Sequence, residues 1–283
     1  MRPTLNTMSA ASVYSATSSP VRTLIVTGAN DSHFANLRVL LGSWLTHMHN
    51  LPLAVCNYGM SPNQVAELRR LPSIEVLDNP DNPAEHPWLG KARTGRFLAA
   101  TNTPWDLAMW IDADALFAHP LPPIPPLAAD YDLLIDAHIQ SVGEIVHDCN
   151  LEPLGLRRDD AYFSSGWWIV RRNCLLDSYE RLASAVALKG NLWENDAFVA
   201  AIYAEKLKIR NVCGSVWHAR GKTSLHTCEV RGLQPQHAGQ PIYVLHANAG
   251  YHQRPDGRRV FDRPELAAIQ DHYEAVYLRA VQN

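Results

Sequence analysis

The stretch 107–117 (LAMWIDADALF) limits the fold more than any other part of this 283-residue sequence. Five apolar residues in a row, Leu107 to Ile111, are typical of a strand that is buried on both faces in the middle of a parallel sheet. Asp112 and Asp114 follow directly, and side chains at positions i and i+2 of a strand lie on the same face. Two ionised carboxylates at a buried strand end are costly unless a cation neutralises them. The pattern therefore predicts a divalent-cation site, with an acidic turn that only ends the strand as the alternative.

Strands and helices alternate along the chain before this motif. The predicted order is strand, helix, strand, helix, strand, helix, strand, over residues 22–27, 37–48, 53–58, 61 onward, 74–77, 91–100 and 107–111. Ser61, Pro62 and Gln64 give the second helix an N-cap, a first-turn proline and a capping-box glutamine. Alternation of this kind predicts an α/β fold of one domain, with a Rossmann-like, mostly parallel central sheet flanked by helices. Ligands of such sheets bind at the carboxyl ends of the strands, where the two aspartates lie.

The pattern becomes mixed after Pro120. Predicted strands at 133–136, 167–170 and 242–245, with helices at 175–188 and 197–207, indicate antiparallel strands that complete the sheet. Residues 1–20 are rich in Ser, Thr and Ala without periodicity, and we expect a flexible leader there. Residues 264–283 show an apolar stripe at helical spacing, which predicts a C-terminal amphipathic helix.

Composition excludes several classes of protein. A net charge of −3 with scattered Lys and Arg residues argues against a nucleic-acid binder. The five cysteines are odd in number and far apart, so they indicate neither a disulfide framework nor a zinc cluster. No apolar run reaches the length of a transmembrane segment, and the N-terminus lacks the apolar core of a signal peptide. We therefore expect a cytoplasmic enzyme, and its oligomeric state stays open.

Taken together, these segments resemble nucleotide-sugar glycosyltransferases of the A-type fold, most closely the retaining family 8 group of glycogenin and bacterial lipopolysaccharide galactosyltransferases. The likeness covers residues 21–254 and implies a nucleotide-binding half (21–117) and a half for the acceptor and donor sugar (118–263) within one glycosyltransferase domain (21–263). It implies a metal site of Asp112, Asp114 and His246 that binds Mn²⁺ or Mg²⁺.

The resemblance also implies positions for the donor. The nucleotide would lie against the end of the first strand and its loop, namely Thr27, Gly28, Ala29 and Asp31. Ser165 and Gly166 would line the sugars, and Asp196, with Glu194 in reserve, would lie beside the anomeric carbon. The sequence departs from the family at Ser164, where Asn is usual, and at Ala197, where Gln is usual.

The diphosphate contact departs as well. No lysine follows His246 at the family spacing, so Arg254 or His252 would replace it. Lys91, on the helix before the Asp112 strand, either reaches the diphosphate or belongs to a solvated helix face, and both interpretations stay open.

The function implied is metal-dependent transfer of a sugar from a UDP-sugar to an acceptor hydroxyl, with retention. A sugar-nucleotide nucleotidyltransferase and a non-catalytic nucleotide-sugar binder are the alternatives. The acceptor is a glycan, a lipid-linked sugar, a protein or a small molecule. We expect the C-terminal helix to pack on the catalytic domain, with a dimer contact and a peripheral attachment to a membrane surface as alternatives.

Overall fold

The computed structural model describes residues 21–78, 87–146, 148–172, 174–187 and 193–282, so the predicted leader lies outside the described residues. The strands are β1 (Thr23–Ala29), β2 (Leu53–Asn57), β3 (Ile74–Asp78), β4 (Leu107–Ile111), β5 (Ala115–Phe117), β6 (Leu133–Ser141), β7 (Ala161–Arg171), β8 (Ile209–Asn211), β9 (Glu229–Arg231), β10 (Gln234–His237), β11 (Gln240–Pro241), β12 (Val244–His246), β13 (Tyr251–Gln253) and β14 (Arg259–Phe261).

The helices pack on both sides of the sheet and along its ends. They are α1 (Phe34–His47), α2 (Pro62–Leu68), α3 (Pro87–Ala92), α4 (Thr94–Ala100), α5 (Ile124–Ala128), α6 (Val142–Ile145), α7 (Asp148–Leu154), α8 (Leu176–Ala187), α9 (Glu194–Ala204), α10 (Gly214–Trp217), α11 (Gly221–Thr227) and α12 (Pro264–Gln282). None of the helices within the described ranges has the length and apolar character that a membrane span requires.

Seven strands form the central sheet in the order β3-β2-β1-β4-β7-β6-β8. Strands β3, β2, β1 and β4 are parallel, while β7 runs antiparallel to both of its neighbours, β4 and β6. The predicted mostly parallel sheet is therefore confirmed. Because the chain moves outward from β1 to β3 and then returns to the other side of β1, a crevice opens between the carboxyl ends of β1 and β4.

Both faces of the sheet are covered, which explains the continuous apolar runs in the sequence. Leu24 and Val26 of β1 belong to one apolar cluster, and Ile25 between them belongs to the cluster on the opposite face. On the second face, α12 packs against α1, and Tyr273 of α12 is 2% exposed. The helices approach so closely that a Cβ on Gly42 would lie 1.8 Å from the backbone oxygen of Tyr273.

The predicted helix 91–100 is two helices, α3 and α4, separated at Arg93. Arg93 has φ −84° and ψ 9°, and its N–H contacts the carbonyl oxygens of both Leu89 and Gly90. Gly90 stabilises a helix poorly, and a Cβ at this position would lie 2.8 Å from the Tyr58 ring. The break therefore accompanies a close packing contact that only glycine allows.

A short antiparallel pair beyond the central sheet brings the two halves of the chain together. β5 follows the Asp112–Asp114 turn and pairs with β12, with Ala115 opposite His246. The register fixes His246 next to the aspartates, although 132 residues separate Asp114 from His246.

The start of α2 has the capping box that the sequence predicts. Gln64 N–H donates to Ser61 Oγ over 3.4 Å, and Ser61 N–H donates to Gln64 Oε1 over 2.8 Å. We expect Ser61→Ala to lower the free energy of unfolding by about 1 kcal/mol, because the Gln64 N–H at the start of the helix loses its hydrogen-bond acceptor. Chemical denaturation would measure the loss. Asn63→Ala, an exposed change in the same turn, is the control, and an equal loss in both variants would contradict the capping role.

Candidate functional site

A cavity of about 170 Å³ opens at the crevice between β1 and β4. It lies at the carboxyl ends of parallel strands, where the sequence predicts a ligand site. Its lining residues come from the ends of β1 and β2, from α3, from the turn after β4, from α9 and from β14. They are Gly28, Ala29, Asn30, His33, Tyr58, Lys91, Trp110, Asp112, Ala113, Asp114, Glu194 and Arg259.

Asp112 and Asp114 line this cavity, and His246, which is buried and does not line it, lies against both of them. Asp112–Asp114 is a turn between β4 and β5 rather than a continued strand, with Ala115 N–H donating to the Asp112 carbonyl. His246 Nε2 lies 3.0 Å from Asp114 Oδ1 and 3.7 Å from Asp112 Oδ2. The side chains thus meet because of the turn and the β5–β12 register, and not because of strand alternation as the sequence argument assumed.

These three side chains suit a divalent cation. One ligand atom from each lies within 4.8 Å of the others. Neighbouring ligands of an octahedral ion with bonds of about 2.1 Å are about 3 Å apart, close to the distance from Asp114 Oδ1 to His246 Nε2. Two carboxylates and an imidazole form a mixed donor set that manganese accepts. Asp112, Asp114 and His246 can therefore hold a metal ion.

Two cations of the protein pair with the same carboxylates. Lys91 Nζ lies 2.9 Å from Asp112 Oδ1, and the Arg259 guanidinium is ion-paired with Asp114 Oδ2. Burial of the Asp114 carboxyl would raise its pKa, but His246 and Arg259 outweigh burial and the pKa is lowered. Asp114 therefore stays ionised at neutral pH. Among the lining residues the carboxylates outnumber the Lys and Arg side chains, so an anionic ligand would need a further cation.

Lys91 is buried, which excludes the solvated helix face. Its ammonium lies 2.9 Å from Ser165 Oγ and 3.6 Å from Glu194 Oε1, in addition to Asp112. Burial alone would lower the pKa of Lys91, but Asp112 and Glu194 outweigh it and raise the pKa. Lys91 is therefore a permanent positive charge in the cavity wall.

Helix α9 begins at Glu194 and presents this residue to the cavity. Glu194 accepts hydrogen bonds from Tyr179 and, over 3.3 Å, from Ser165 Oγ. Burial raises the pKa of the Glu194 carboxyl, although the Lys91 charge opposes the shift. The next residue, Asn195, accepts from Ser165 N–H over 2.6 Å and so fixes β7 to α9.

Asp196 does not line the cavity, although the resemblance implies that it lies beside the anomeric carbon with Glu194 in reserve. Its carboxylate is buried and accepts a hydrogen bond from Tyr162 over 2.8 Å. Residues i and i+2 of a helix point about 200° apart, so one of the two acidic side chains faces the cavity and the other faces away. The structure brings Glu194, the reserve candidate, to the site.

The first-strand loop enters the cavity only in part. Gly28 and Ala29 line it, whereas Thr27 is fully buried in the sheet. Asp31 is exposed and accepts from Gln64 Nε2 over 2.8 Å, so its side chain points to α2. A Cβ on Gly28 would lie 2.3 Å from the Tyr58 ring, so this glycine allows Tyr58 to lie across the strand end.

Ser165 and Gly166 support the site from β7. Ser165 is buried behind Lys91 and Glu194 rather than facing the open cavity. A Cβ on Gly166 would lie 2.6 Å from His246 Cε1 and 3.2 Å from Asp112 Oδ2. Gly166 therefore leaves room for the side chains of His246 and Asp112, whereas the resemblance implies that it lines the sugars.

Arg259 lines the cavity and was missed in the sequence, whereas Arg254 is directed elsewhere. The Arg254 side chain is 43% exposed and lies 3.9 Å from Asp271 of α12. Pro255-Asp256-Gly257 forms the turn between β13 and β14, with Gly257 at φ +84°, and the return strand carries Arg259 back to Asp114. Turn residues of this kind signal a hairpin, which would have indicated that a basic residue returns to the site.

Comparison with known proteins supports the fold. No family model and no curated protein matches the chain. A structure of the galactosyltransferase LgtC with donor and acceptor sugar analogs matches with a TM-score of 0.54 at 14% identity, covering 90% of this chain and 95% of LgtC. A second LgtC structure, with glutamine replaced by glutamate in its active site, gives 0.56 at 13% identity, covering 89% and 94%. The chain has the fold of LgtC, which confirms the A-type fold predicted from the sequence.

Proposed function

We propose that this chain is a metal-dependent glycosyltransferase that moves a sugar from a UDP-sugar to an acceptor hydroxyl, with retention of the anomeric configuration. One observation carries the proposal. Asp112 and Asp114 line one cavity together with Lys91 and Arg259, at the crevice where α/β sheets bind nucleotides, and the buried His246 joins the two aspartates from behind the cavity wall. A metal-binding cluster and fixed positive charges would together stabilise the negative charge of a diphosphate leaving group.

The chemistry of sugar transfer gives a role to each of these cavity side chains and to the cation. Sugar transfer breaks the bond between the anomeric carbon and a phosphate oxygen, so positive charge grows on the carbon and negative charge on the diphosphate. A divalent ion, when bound, supplies Lewis-acid stabilisation of that leaving group. Arg259 and Lys91 add charged hydrogen-bond donors for the phosphate oxygens. Glu194, in the same cavity, stabilises the positive charge that develops on the anomeric carbon.

A donor panel tests the function. The protein would be incubated with Mn²⁺ and UDP-glucose, UDP-galactose, UDP-N-acetylglucosamine or GDP-mannose, and release of the nucleoside diphosphate would be measured with and without sugar acceptors. We expect Mn²⁺-dependent release from a UDP-sugar, and NMR of the product would give its anomeric configuration. Binding without turnover would favour the non-catalytic binder, and pyrophosphate-dependent formation of a nucleoside triphosphate would favour the nucleotidyltransferase.

Arg259→Met is expected to raise the KM for the donor about 10- to 100-fold, because a charged hydrogen bond contributes about 1.5–3 kcal/mol. Steady-state kinetics at saturating acceptor would measure the change. Arg254→Met is the comparison, since the sequence favours Arg254 for the diphosphate and the structure brings Arg259 to the cavity. A raised KM in Arg254→Met with an unchanged Arg259→Met would reverse the assignment.

A further inference from the structure

A chain of buried side chains continues behind His246, away from the cavity. His246 Nδ1 lies 2.9 Å from His218 Nε2, and His218 Nδ1 lies 2.9 Å from Asp136 Oδ1. Arg220 Nε donates to the other oxygen of Asp136, also over 2.9 Å. His218 and Asp136 are 0% and 1% exposed. Neither residue lines the cavity, so neither can touch a substrate there.

One placement of protons gives each hydrogen bond in the series His246–His218–Asp136 a donor and an acceptor when His246 binds a cation. Nε2 of His246 must present a lone pair to the metal, so its proton lies on Nδ1. That N–H must donate to His218 Nε2, which requires the His218 proton on Nδ1. His218 Nδ1–H then donates to Asp136, which accepts only because it is ionised and paired with Arg220. The ionised Asp136 therefore determines which nitrogen carries the proton, first on His218 and then on His246.

The backbone holds the same groups in place. His218 is the C-cap residue that follows α10, and the next residue, Ala219, forms a bridge with Leu245 of β12. His246 N–H donates to the Ala219 carbonyl over 3.0 Å, so the two histidines lie on hydrogen-bonded segments. Asp136 lies on β6 of the central sheet, and a Cβ on Gly214 of α10 would lie 3.1 Å from its Oδ2. The positions of both partners of His218 are thus fixed by strands.

We infer that His218 and Asp136 are positioning residues, which orient His246 and hold it in the tautomer that binds a divalent cation through Nε2. The inference rests on the proposed metal dependence. Hydrogen-bond partners of this kind typically change metal affinity about 10- to 100-fold when removed. A purely structural role for His218 would affect stability without a selective effect on metal binding.

Manganese binding tests the inference without any assay of activity. Free Mn²⁺ would be measured by electron paramagnetic resonance in titrations of the wild type, His218→Phe and His218→Gln. We expect Kd to rise about 10- to 100-fold in His218→Phe and to stay closer to the wild type in His218→Gln, whose amide can both accept from His246 and donate to Asp136. His119→Phe is the control, since this half-buried histidine bonds the Pro235 carbonyl outside the chain of groups.

Two outcomes separate this inference from the proposed function. Mn²⁺ binding by the wild type with an unchanged Kd in a folded His218→Phe would overturn the inference alone. No Mn²⁺ binding by the wild type would contradict both. If His218→Phe does not fold, long-range ¹H–¹⁵N spectra of the ¹⁵N-histidine-labelled wild type with Mg²⁺ decide the matter. We expect the His218 proton on Nδ1, and a proton on Nε2 would overturn the inference.

Discussion

Asp112→Asn and Asp114→Asn should each lower kcat/KM for metal-dependent sugar transfer by on the order of a thousandfold. Each change removes an anionic ligand without changing side-chain volume, and a bound metal stabilises the transition-state charge by several kcal/mol, with about 1.4 kcal/mol for each tenfold. The larger loss is expected for Asp114, because its carboxylate faces both His246 and Arg259. Initial rates over a range of Mn²⁺ concentrations would measure the effect.

The matched control for these variants is Asp106→Asn. Asp106 precedes the amino end of β4, at the opposite end of the strands from the cavity, and pairs on the surface with Arg22. It should leave turnover unchanged. Circular dichroism would confirm that all three variants are folded. Near-wild-type transfer by Asp112→Asn or Asp114→Asn in the presence of manganese would show that the metal site is assigned to the wrong residues.

Lys91→Met is expected to destabilise the protein by about 3 kcal/mol near pH 8, because removing one partner of a buried ion pair leaves the other charge uncompensated. The loss should be smaller at pH 5. Burial already raises the pKa of Glu194 in the folded state above its ordinary value of 4.5, and loss of the Lys91 charge would raise it further. Below the unfolded pKa such a carboxyl is neutral in both states and does not lower the free energy of unfolding. Its destabilising effect grows as the pH rises from the unfolded pKa toward the raised folded pKa.

Urea denaturation at pH 5, 6, 7 and 8 would measure this dependence. The double variant Lys91→Met/Glu194→Gln has no carboxyl to ionise at position 194, so its stability relative to Glu194→Gln should vary less with pH than that of Lys91→Met relative to the wild type. An equal loss of stability at pH 5 and pH 8 in Lys91→Met would show that Glu194 does not depend on Lys91 for its charge.

The sequence was sufficient for the parallel strands β1 to β4 and for the two aspartates, because local patterns determine both. It did not predict β8, and the strand predicted at 242–245 pairs with β5 outside the central sheet. The apolar run of β4 and its acidic end lie within eight residues, and the capping box of α2 lies within four. His246 was found only through the resemblance, since no local pattern links it to Asp114 across 132 residues.

Other site residues depend on geometry that a linear pattern does not contain. The choice between Glu194 and Asp196 follows from the rotation of α9 about its axis, which is set by packing and by the Asn195 contacts with β7. The sequence does not distinguish Lys91 from a surface lysine, because its burial depends on how α3 packs in the folded chain. Nothing around His218 in the sequence indicates that it contacts His246, because β12 and α10 meet only in the folded chain.

The pairing of β5 with β12 also has a consequence for the order of folding. The strands from β1 to β4 can form their parallel contacts as soon as residue 111 is available. His246 joins the two aspartates only when β12 pairs with β5, and Arg259 only with the hairpin after it. Proteins fold largely from the N-terminus during synthesis, and contacts between distant residues form slowly. The first half of the chain therefore emerges from the ribosome before His246 and Arg259 are available, and Asp112, Asp114 and His246 come together only after β12 has been synthesised.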